Sequence, residues 1–414
     1  MVTRGGRLHW EEDRDFDLDH HVVATALPPP GDETAARRLF GEFLSRPLDP
    51  SRPLWQLHVI DKFQGGSALL ARIHHALGDG VAMMLVLLSL CDVEPESPPA
   101  DGPVAATPSP LSDLFGNTAE RFAAFRRFAD EVMPDTMRLV LHPVEVLRRT
   151  SRVLIAGAST GALGRLLAYP PDSRTPFKGP LVLEKRAAWS RPLALDDVKT
   201  VGRALGGTVN DVLLSAVAGA LRRYLARDEA PREDLVVRAA MPVNLRPLEH
   251  MSALGNRFGV VFLGIPIGIG DPLRRTAELK RRADALKRSA EPVVVYRILD
   301  AMGRVPLAVQ RLVVRIFGAK ATAVMTNVPG PRKTLYFAGR PMEDIFFWVP
   351  QSGHLGLGIS IMTYRGRVRL AFGTDAGLVP DPSLLVEGFH DEWTAMAEIA
   401  RGRASVRQTD SPPK

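Results

Sequence analysis

The residues best suited to chemistry lie in one short segment, His74-His75-Ala76-Leu77-Gly78-Asp79-Gly80. An imidazole titrates near neutral pH, so it can take the proton of a hydroxyl that attacks a thioester carbonyl and pass that proton to the departing thiolate. One histidine is enough for both proton transfers, and no acyl-enzyme is needed. The pattern H-H-x-x-x-D-G therefore predicts direct transfer of an acyl group from a thioester to an alcohol.

Within this segment we assign the role of general base to His75. Successive side chains on a strand point to opposite faces, so His74 and His75 cannot both face one site, and we expect His74 to support the backbone. We expect Asp79 to hold the loop through an ion pair and Gly80 to let a substrate chain approach the backbone. The earlier doublet His20-His21 is not followed by Asp-Gly, so we interpret it as a structural pair at a strand end.

The bulk composition bounds the class of protein. The chain has 414 residues, 45% of them hydrophobic, which suits two domains or one large fold of two halves. Its net charge of +7 favours acidic partners such as a phosphorylated cofactor, an anionic membrane surface or nucleic acid, and charge alone does not choose among them. Cys91, the only cysteine, lies in an apolar run and is a poor nucleophile candidate.

The sequence contains neither a secretory signal nor an apolar stretch of spanning length. Its start is polar and charged. Its longest charge-free apolar stretches are shorter than the roughly 18–20 residues of a membrane-spanning helix. We therefore expect a soluble or peripheral protein. Because a single cysteine can form no internal disulfide, the sequence also fits the reducing cytoplasm.

Hydrophobic patterning predicts the elements that position the motif. Apolar runs at 54–60 and 67–73 flank Gly65-Gly66 and predict a β-hairpin whose second strand ends at the histidines. Residues 81–91 predict a buried helix, because Met and Leu dominate them. Further helices are predicted at 195–206, 208–225 (capped by Thr208 or Asn210), 273–290 and 381–401, and strands at 188–192, 235–242, 259–267, 322–327, 356–363 and 368–374. This order of elements predicts an α/β (α+β) fold with mixed sheets.

Several common site motifs are missing from the sequence. It contains no G-x-x-x-x-G-K-[ST], G-x-G-x-x-G, H-E-x-x-H or G-x-S-x-G pattern. Nucleotide-binding, zinc-peptidase and α/β-hydrolase interpretations therefore lose their simplest support, and we expect no metal and no permanently bound cofactor.

With the motif, several further segments resemble the bacterial wax ester synthase/acyl-CoA:diacylglycerol acyltransferase family, which belongs to the CoA-dependent acyltransferase superfamily. These segments follow the family's order and span most of the chain, from about residue 8 to residue 389. The matching segments are Pro53-Leu54-Trp55, Asn210-Asp211, Pro242-Val243-Asn244-Leu245-Arg246, Gly255-Asn256-Arg257 and Asn327-Val328-Pro329-Gly330-Pro331. The combination is specific to the family, whereas H-H-x-x-x-D-G alone indicates only the superfamily.

The resemblance implies a fold of two chloramphenicol-acetyltransferase-like halves with a tunnel between them. It places His75 midway along that tunnel, with CoA entering from one side and the acceptor alcohol from the other. We expect an N-terminal half over residues 1–170, a linker over 171–187, a C-terminal half over 188–401 and a disordered tail over 402–414. The family usually has several dozen residues before the part resembling 7–22, so we expect the first half to lack a strand and a helix.

The resemblance also suggests further site residues. Asn210 is expected to donate to the oxyanion or to orient a group beside it, with Asp211 in support, although both residues also suit helix capping. Trp55 and the turn residues Asn327, Pro329 and Gly330 are expected to contact substrate. Each of these has a structural alternative, since a tryptophan after Pro-Leu suits a core and Pro-Gly-Pro stiffens any loop.

The implied substrates are acyl-CoA and either diacylglycerol or a long-chain alcohol, whose apolar character suggests contact with the inner face of the plasma membrane or with lipid droplets. The basic helix predicted at 273–288 and the segment 137–167 are candidate lipid-surface regions.

Two other functions remain open. A condensation-type enzyme would use a carrier-protein thioester, but the sequence lacks the D-F-G-W-G segment that such domains usually carry. A basic binding protein would need no catalytic base, and the sequence shows no nucleic-acid-binding module.

Overall fold

The structure, a computed structural model, describes residues 2–4, 7–9, 11–95, 168–245, 258–302, 305, 307–349, 351 and 355–409. The chain divides into two compact units. The first comprises Met1–Asp135, Arg246–Arg257 and Pro331–Asp344, and the second comprises Thr136–Leu245, Phe258–Gly330 and Ile345–Lys414.

A three-stranded mixed sheet and one helix form the centre of the described part of the first unit. Strand β3 (Val22–Thr25) runs parallel to β4 (Trp55–Phe63), and β4 runs antiparallel to β5 (Gly66–Ile73). Helix α1 (Glu33–Ser45) begins at Asp32, whose carboxylate accepts the Ala35 N–H at 2.8 Å. Helix α2 (Gly80–Leu88) follows the histidine motif, and the short strands β1 (Val2–Arg4) and β2 (Arg7–His9) pair with each other.

A seven-stranded mixed sheet organises the second unit. Its order is β6-β14-β13-β10-β8-β9, with β7 paired to β14. The strands are β6 (Lys185–Trp189), β7 (Leu193–Ala194), β8 (Val237–Asn244), β9 (Phe258–Ile265), β10 (Ala323–Pro329), β13 (Leu357–Tyr364) and β14 (Arg367–Asp375). β10 is parallel to both of its neighbours, and the other pairs are antiparallel. Arg365 and Gly366, both with positive φ, close the tight hairpin between β13 and β14.

Helices cover this sheet and supply most of its core. They are α3 (Leu195–Leu205), α4 (Val209–Leu225), α5 (Pro272–Lys287), α6 (Glu291–Met302), α7 (Leu307–Ala319) and α8 (Ser383–Thr409). The central helix α4 is buried along most of its length, as its apolar sequence requires, and packs against the strands and α8. The predicted α/β fold with mixed sheets is thus confirmed.

The hairpin strands, the basic helix and the long strands of the second unit lie close to their predicted positions. The sequence analysis missed α1, α6, α7 and β3. The helix predicted to be buried after the motif is only partly so, because Val86 on α2 is exposed. The segment 137–167, a candidate lipid-surface region, lies outside the described residues.

The expectation of two halves contiguous in sequence is wrong for residues 331–344. This segment contains the short strands β11 (Tyr336–Phe337) and β12 (Arg340–Pro341), and it belongs to the first unit. Asp92 and Tyr336 exchange two backbone hydrogen bonds of 2.8 Å, which fixes the segment there. The boundary placed near residue 170 stays a prediction.

The predicted linker at 171–187 is held firmly to the second unit. The Asp172 carboxylate accepts the Arg238 N–H at 2.7 Å and the Thr322 hydroxyl at 2.6 Å. The Lys178 ammonium donates to the carbonyls of Ala319 and Ala321 just beyond the end of α7. Residues 185–187 of this segment already belong to β6. A buried carboxylate requires such partners, and they lie far away in sequence, so composition did not reveal them.

The predicted disordered tail is also wrong as far as the structure describes it. α8 continues to Thr409, whereas the sequence analysis ended the helix at residue 401. Residues 410–414 lie outside the described part.

Candidate active site

The histidine motif forms a turn between β5 and α2. The His74 N–H donates to the Leu54 carbonyl at 2.9 Å, extending the β4–β5 ladder by one step, and the Leu77 N–H closes the turn on the His74 carbonyl at 3.0 Å. The His74 side chain lies against its own turn, where Nδ1 accepts the Ala76 N–H at 3.1 Å. His74 is exposed and His75 is half-buried. The ring of His74 is thus engaged with the backbone of the motif.

The Asp-Gly pair of the motif starts α2. The Asp79 carbonyl accepts the Met83 N–H at 2.9 Å, and the Asp79 side chain is buried. Gly80 is exposed, and a Cβ built on it would meet no atom within 4 Å. The space beside the backbone at Gly80 is therefore open, as close approach of a substrate chain would require.

The Pro53-Leu54-Trp55 segment lies beside the motif, because Trp55 pairs with Ile73 across the hairpin. The Trp55 ring stacks on His21, with centroids 4.5 Å apart, and His21 in turn stacks on Phe16 at 5.1 Å. His20 is exposed and forms an ion-pair contact with Asp17 at 3.1 Å. The structure thus brings together two segments that the sequence analysis had treated separately.

Asn210 and Asn327 meet in the second unit. The Asn327 amide donates to the Asn210 side-chain carbonyl at 3.0 Å. Because that carbonyl is engaged, the NH₂ group is the part of Asn210 that remains suited to donate to a substrate oxygen. Both residues are partly exposed.

Asp211 has a structural contact of its own. Thr208 caps α4, and its hydroxyl and the Asp211 carboxylate form a reciprocal capping box, in which Asp211 accepts the Thr208 N–H at 2.9 Å. Of the two caps left open by the sequence, Thr208 is therefore the one used.

The Asn327–Pro331 turn is shaped by close packing at Gly330. The Gly330 N–H donates to the Thr363 hydroxyl at 3.0 Å, and a Cβ at Gly330 would lie 2.2 Å from the Thr363 carbonyl oxygen. Only glycine fits there. Pro329 ends β10 opposite Thr363. Contact of Trp55, Asn327, Pro329 and Gly330 with substrate stays a prediction.

The protonation of the Cys91 thiol bears on whether this cysteine could act as a nucleophile. Burial, with a smaller contribution from Asp92, raises the pKa of the Cys91 thiol to about 11, so the thiol is protonated at neutral pH. In the described part of the chain, no cluster of three or more His, Cys, Asp or Glu side chains could hold a metal ion.

The basic side chains of α5 are engaged in ion pairs. Glu278 pairs with Arg281 and Arg282, and Asp284 pairs with Lys280 and Lys287. Hydrogen bonds from the arginines hold the pKa of Glu278 at about 2 despite partial desolvation. In these i,i+3 and i,i+4 pairs four basic side chains share two carboxylates, so the pairs offset only part of the positive charge of α5.

The described helices include none that is by itself long and apolar enough to cross a membrane. The pair α3 and α4, bent by 88° at the break between them, meets that test of length and composition only when taken together.

A mixed-sheet α/β fold that presents H-H-x-x-x-D-G at the end of a hairpin strand defines a protein of the CoA-dependent acyltransferase class. Residues 3–213 match the family model described as the wax ester synthase/diacylglycerol acyltransferase catalytic domain, and residues 254–397 match the WS/DGAT C-terminal domain. The chain therefore belongs to the wax ester synthase/diacylglycerol acyltransferase family, as its sequence motifs predicted.

Individual relatives agree with this assignment. A putative diacylglycerol O-acyltransferase of Mycobacterium tuberculosis is 30% identical over 96% of this chain and 84% of its own length. Another from the same organism is 29% identical over 94% of this chain and 76% of its own length. The fold is similar to that of a wax ester synthase/diacylglycerol acyltransferase from Marinobacter aquaeolei VT8, with a TM-score of 0.64 and 20% identity over 97% of this chain and 85% of that one.

Proposed function

We propose that this protein moves a fatty acyl group from acyl-CoA to the hydroxyl of diacylglycerol or of a long-chain alcohol, with His75 as general base. The observation that carries the proposal is the H-H-x-x-x-D-G turn in a chain of this family, with a half-buried His75 and open space at Gly80. Relatives named as diacylglycerol O-acyltransferases support diacylglycerol as an acceptor.

The reaction needs one proton to move twice. The acceptor oxygen attacks the thioester carbonyl carbon while His75 takes the hydroxyl proton. The carbon–sulfur bond then breaks as the ester forms, and His75 returns the proton to the thiolate, which leaves as CoA. No covalent enzyme intermediate forms, which agrees with a Cys91 thiol that stays protonated. Acyl-CoA is a co-substrate in this scheme, not a bound cofactor.

The first experiment measures release of free CoA from palmitoyl-CoA, with diacylglycerol or hexadecanol added. We expect acceptor-dependent release by the wild type and a loss of roughly 10²–10⁴-fold in kcat for His75→Ala, the usual contribution of a general base. His20→Ala is the matched control, because His20 is an exposed histidine of the same unit outside the motif. Full activity of His75→Ala would refute the proposal, and the better acceptor would identify the physiological reaction class.

The same assay tests Asn210 as the oxyanion donor. We expect Asn210→Ala to lower kcat by roughly 10²–10³-fold, because a preorganised amide donor stabilises the developing charge in the transition state. Thr208→Ala is the control for helix capping, since it removes the cap of α4 and should lower stability by about 1 kcal/mol without a comparable loss of kcat. An Asn210→Ala variant that loses only stability would assign Asn210 to the fold alone.

We also propose that the protein acts on the cytoplasmic side at an anionic lipid surface, with α7 in contact with the lipid. α7 contains no acidic residue, and exposes Arg311 and Arg315. Its exposed apolar side chains include Val309, Leu312 (54% exposed), Val314 and Ile316. Apolar side chains beside arginines suit the interface of a bilayer that contains anionic lipids, where apolar substrates reside.

Sedimentation with phosphatidylcholine vesicles, with and without phosphatidylglycerol, tests this contact. The double variant Leu312→Ser/Ile316→Ser should bind vesicles at least tenfold more weakly, since each buried leucine or isoleucine contributes about 1.5–3 kcal/mol. Leu183→Ser, which removes an exposed leucine outside α7, is the matched control. Equal binding by all three proteins, or no binding by the wild type, would contradict the proposal.

A further inference from the structure

His21 is one of the most deeply buried polar side chains of the first unit, with only 2% of its surface exposed. It lies immediately before β3, and none of the steps described above uses it. The sequence offered only the doublet His20-His21, without the Asp-Gly that follows the catalytic pair. A buried imidazole outside the chemistry needs a reason in its contacts.

Two hydrogen bonds of His21 reach the start of β4. Its Nδ1 lies 2.7 Å from the Trp55 carbonyl oxygen, and since a carbonyl can only accept, Nδ1 carries the proton and donates it. The His21 carbonyl accepts the Leu57 N–H at 2.7 Å. The His21 ring therefore takes the place of a backbone donor and extends the β3–β4 ladder by one step before the start of β3.

Ring contacts accompany this hydrogen bond. The His21 ring packs on Trp55, with centroids 4.5 Å apart and planes 30° apart, and on Phe16, with centroids 5.1 Å and planes 22° apart. The Phe16 and Trp55 centroids are themselves 6.4 Å apart, so the three rings form a triangular cluster. Because His21 is buried in this cluster, its ring has little room to turn its Nδ1–H away from the Trp55 carbonyl. The hydrogen bond and the ring cluster thus hold the peptide that follows Trp55.

The peptide that follows Trp55 adjoins the peptide between Leu54 and Trp55, which anchors the histidine motif. The Leu54 carbonyl, one residue before Trp55, accepts the His74 N–H at 2.9 Å, and Trp55 pairs with Ile73. The His74 carbonyl then closes the motif turn through the Leu77 N–H. A shift of residues 54–55 would move His74, and the peptide that leads to His75 would move with it.

We propose that His21 is a positioning residue for the general base. It fixes the start of β4, which fixes His74 and so the place from which the His75 imidazole projects. The proposal rests on the proposed function of His75. Misplacing a base by about 1 Å costs on the order of a hundredfold in rate, so a residue two contacts away from the base can control kcat without touching substrate.

Two substitutions separate the hydrogen bond from the stacking. His21→Phe keeps a ring against Phe16 and Trp55 and loses the donor. His21→Asn loses the ring and keeps an N–H donor near the position of Nδ1, because both nitrogens are one bond from Cγ. His20→Asn is the matched control, since His20 is exposed and contacts Asp17.

We expect His21→Phe to lower kcat for CoA release from palmitoyl-CoA by about tenfold to a hundredfold, with an unchanged KM. His21→Asn should keep a kcat close to that of the wild type, as should His20→Asn. A purely structural role would lower the melting temperature of both His21 variants and leave their kcat alike. Equal kcat in His21→Phe and His21→Asn, or a change confined to KM, would overturn the proposal.

A second measurement does not depend on turnover. In protein labelled with ¹⁵N-histidine, the imidazole signal that disappears in His75→Ala belongs to His75. That signal should shift in His21→Phe and return to its wild-type position in His21→Asn. If the wild type released no CoA with either acceptor, the proposed function would fail, whereas an unmoved His75 signal in His21→Phe would overturn the positioning role itself.

Discussion

At the scale of single residues, three histidines of the first unit show how environment decides what an imidazole can do. His75 is half-buried on the motif turn, so part of its surface is accessible. His21 packs against two aromatic rings and donates to a backbone carbonyl. His58 is buried on the α1 side of the sheet, with its Nδ1 at 3.0 Å from the Thr25 hydroxyl and its ring against Phe43. Only the first arrangement suits proton transfer to a substrate.

Burial, with a smaller contribution from the positive charge of Arg72, lowers the pKa of His58 below its ordinary value. The folded state then binds a proton less readily than the unfolded state. The contribution of His58 to stability is complete above its ordinary pKa, near 6.5, and is lost as the pH falls through the lowered pKa of the folded state.

We therefore expect the free energy of unfolding to fall more steeply between pH 7 and pH 5 in the wild type than in His58→Phe, measured by urea denaturation at each pH. His390 of the second unit also has a pKa lowered mainly by burial, but it is present in both proteins and its effect cancels. His20→Phe, which removes an exposed histidine of the same unit, is the control for the loss of a histidine side chain. Parallel pH profiles for the wild type and His58→Phe would contradict the assignment.

At the scale of elements, an ion-pair network joins the helices that cover the large sheet. The Glu392 carboxylate of α8 accepts from Arg275 of α5 and, at 2.6 Å, from Arg223 of α4. Arg275 is fully buried and also donates to the Ile269 and Gly270 carbonyls. A Cβ at Gly219 would lie 2.3 Å from Glu392, so α4 must have glycine where α8 crosses it. These contacts set how closely the three helices pack.

Removal of one partner from this network should be costly. Glu392→Ala leaves the buried Arg275 guanidinium without its carboxylate and should lower the free energy of unfolding by about 3–5 kcal/mol. Glu387→Ala, an exposed glutamate of the same helix, should change it by at most about 0.5 kcal/mol. Chemical denaturation of both variants measures the difference, and a similar small effect of both would show that the network contributes little.

At the scale of the whole molecule, charge and apolar surface are distributed differently from what composition suggested. The most basic helix, α5, holds four of its basic side chains in ion pairs with its own glutamate and aspartate. The less charged α7 has two arginines and no acidic residue, and it also exposes apolar side chains. Charge density in the sequence favoured α5 for contact with lipid, whereas the exposed apolar side chains of the structure favour α7.

Local patterns in the sequence were enough to indicate the family and most of the elements. The H-H-x-x-x-D-G spacing, the flanking hairpin and the motifs Asn210-Asp211 and Asn327–Pro331 indicated the family, because each depends on residues adjacent in sequence. The long strands and α4 were predictable for the same reason, since alternation and helical periodicity are local properties.

Only the tertiary structure decided which distant residues meet. It paired Asn327 with Asn210, placed His21 on Trp55, and bound Asp172 to β8 and to Thr322, just before β10. It also placed residues 331–344 in the first unit through Asp92. Each of these contacts joins segments 34 to more than 200 residues apart in sequence, and their energies depend on burial and geometry that no local pattern encodes. The sequence by itself determined what chemistry is available, and long-range packing decided which side chains hold that chemistry in place.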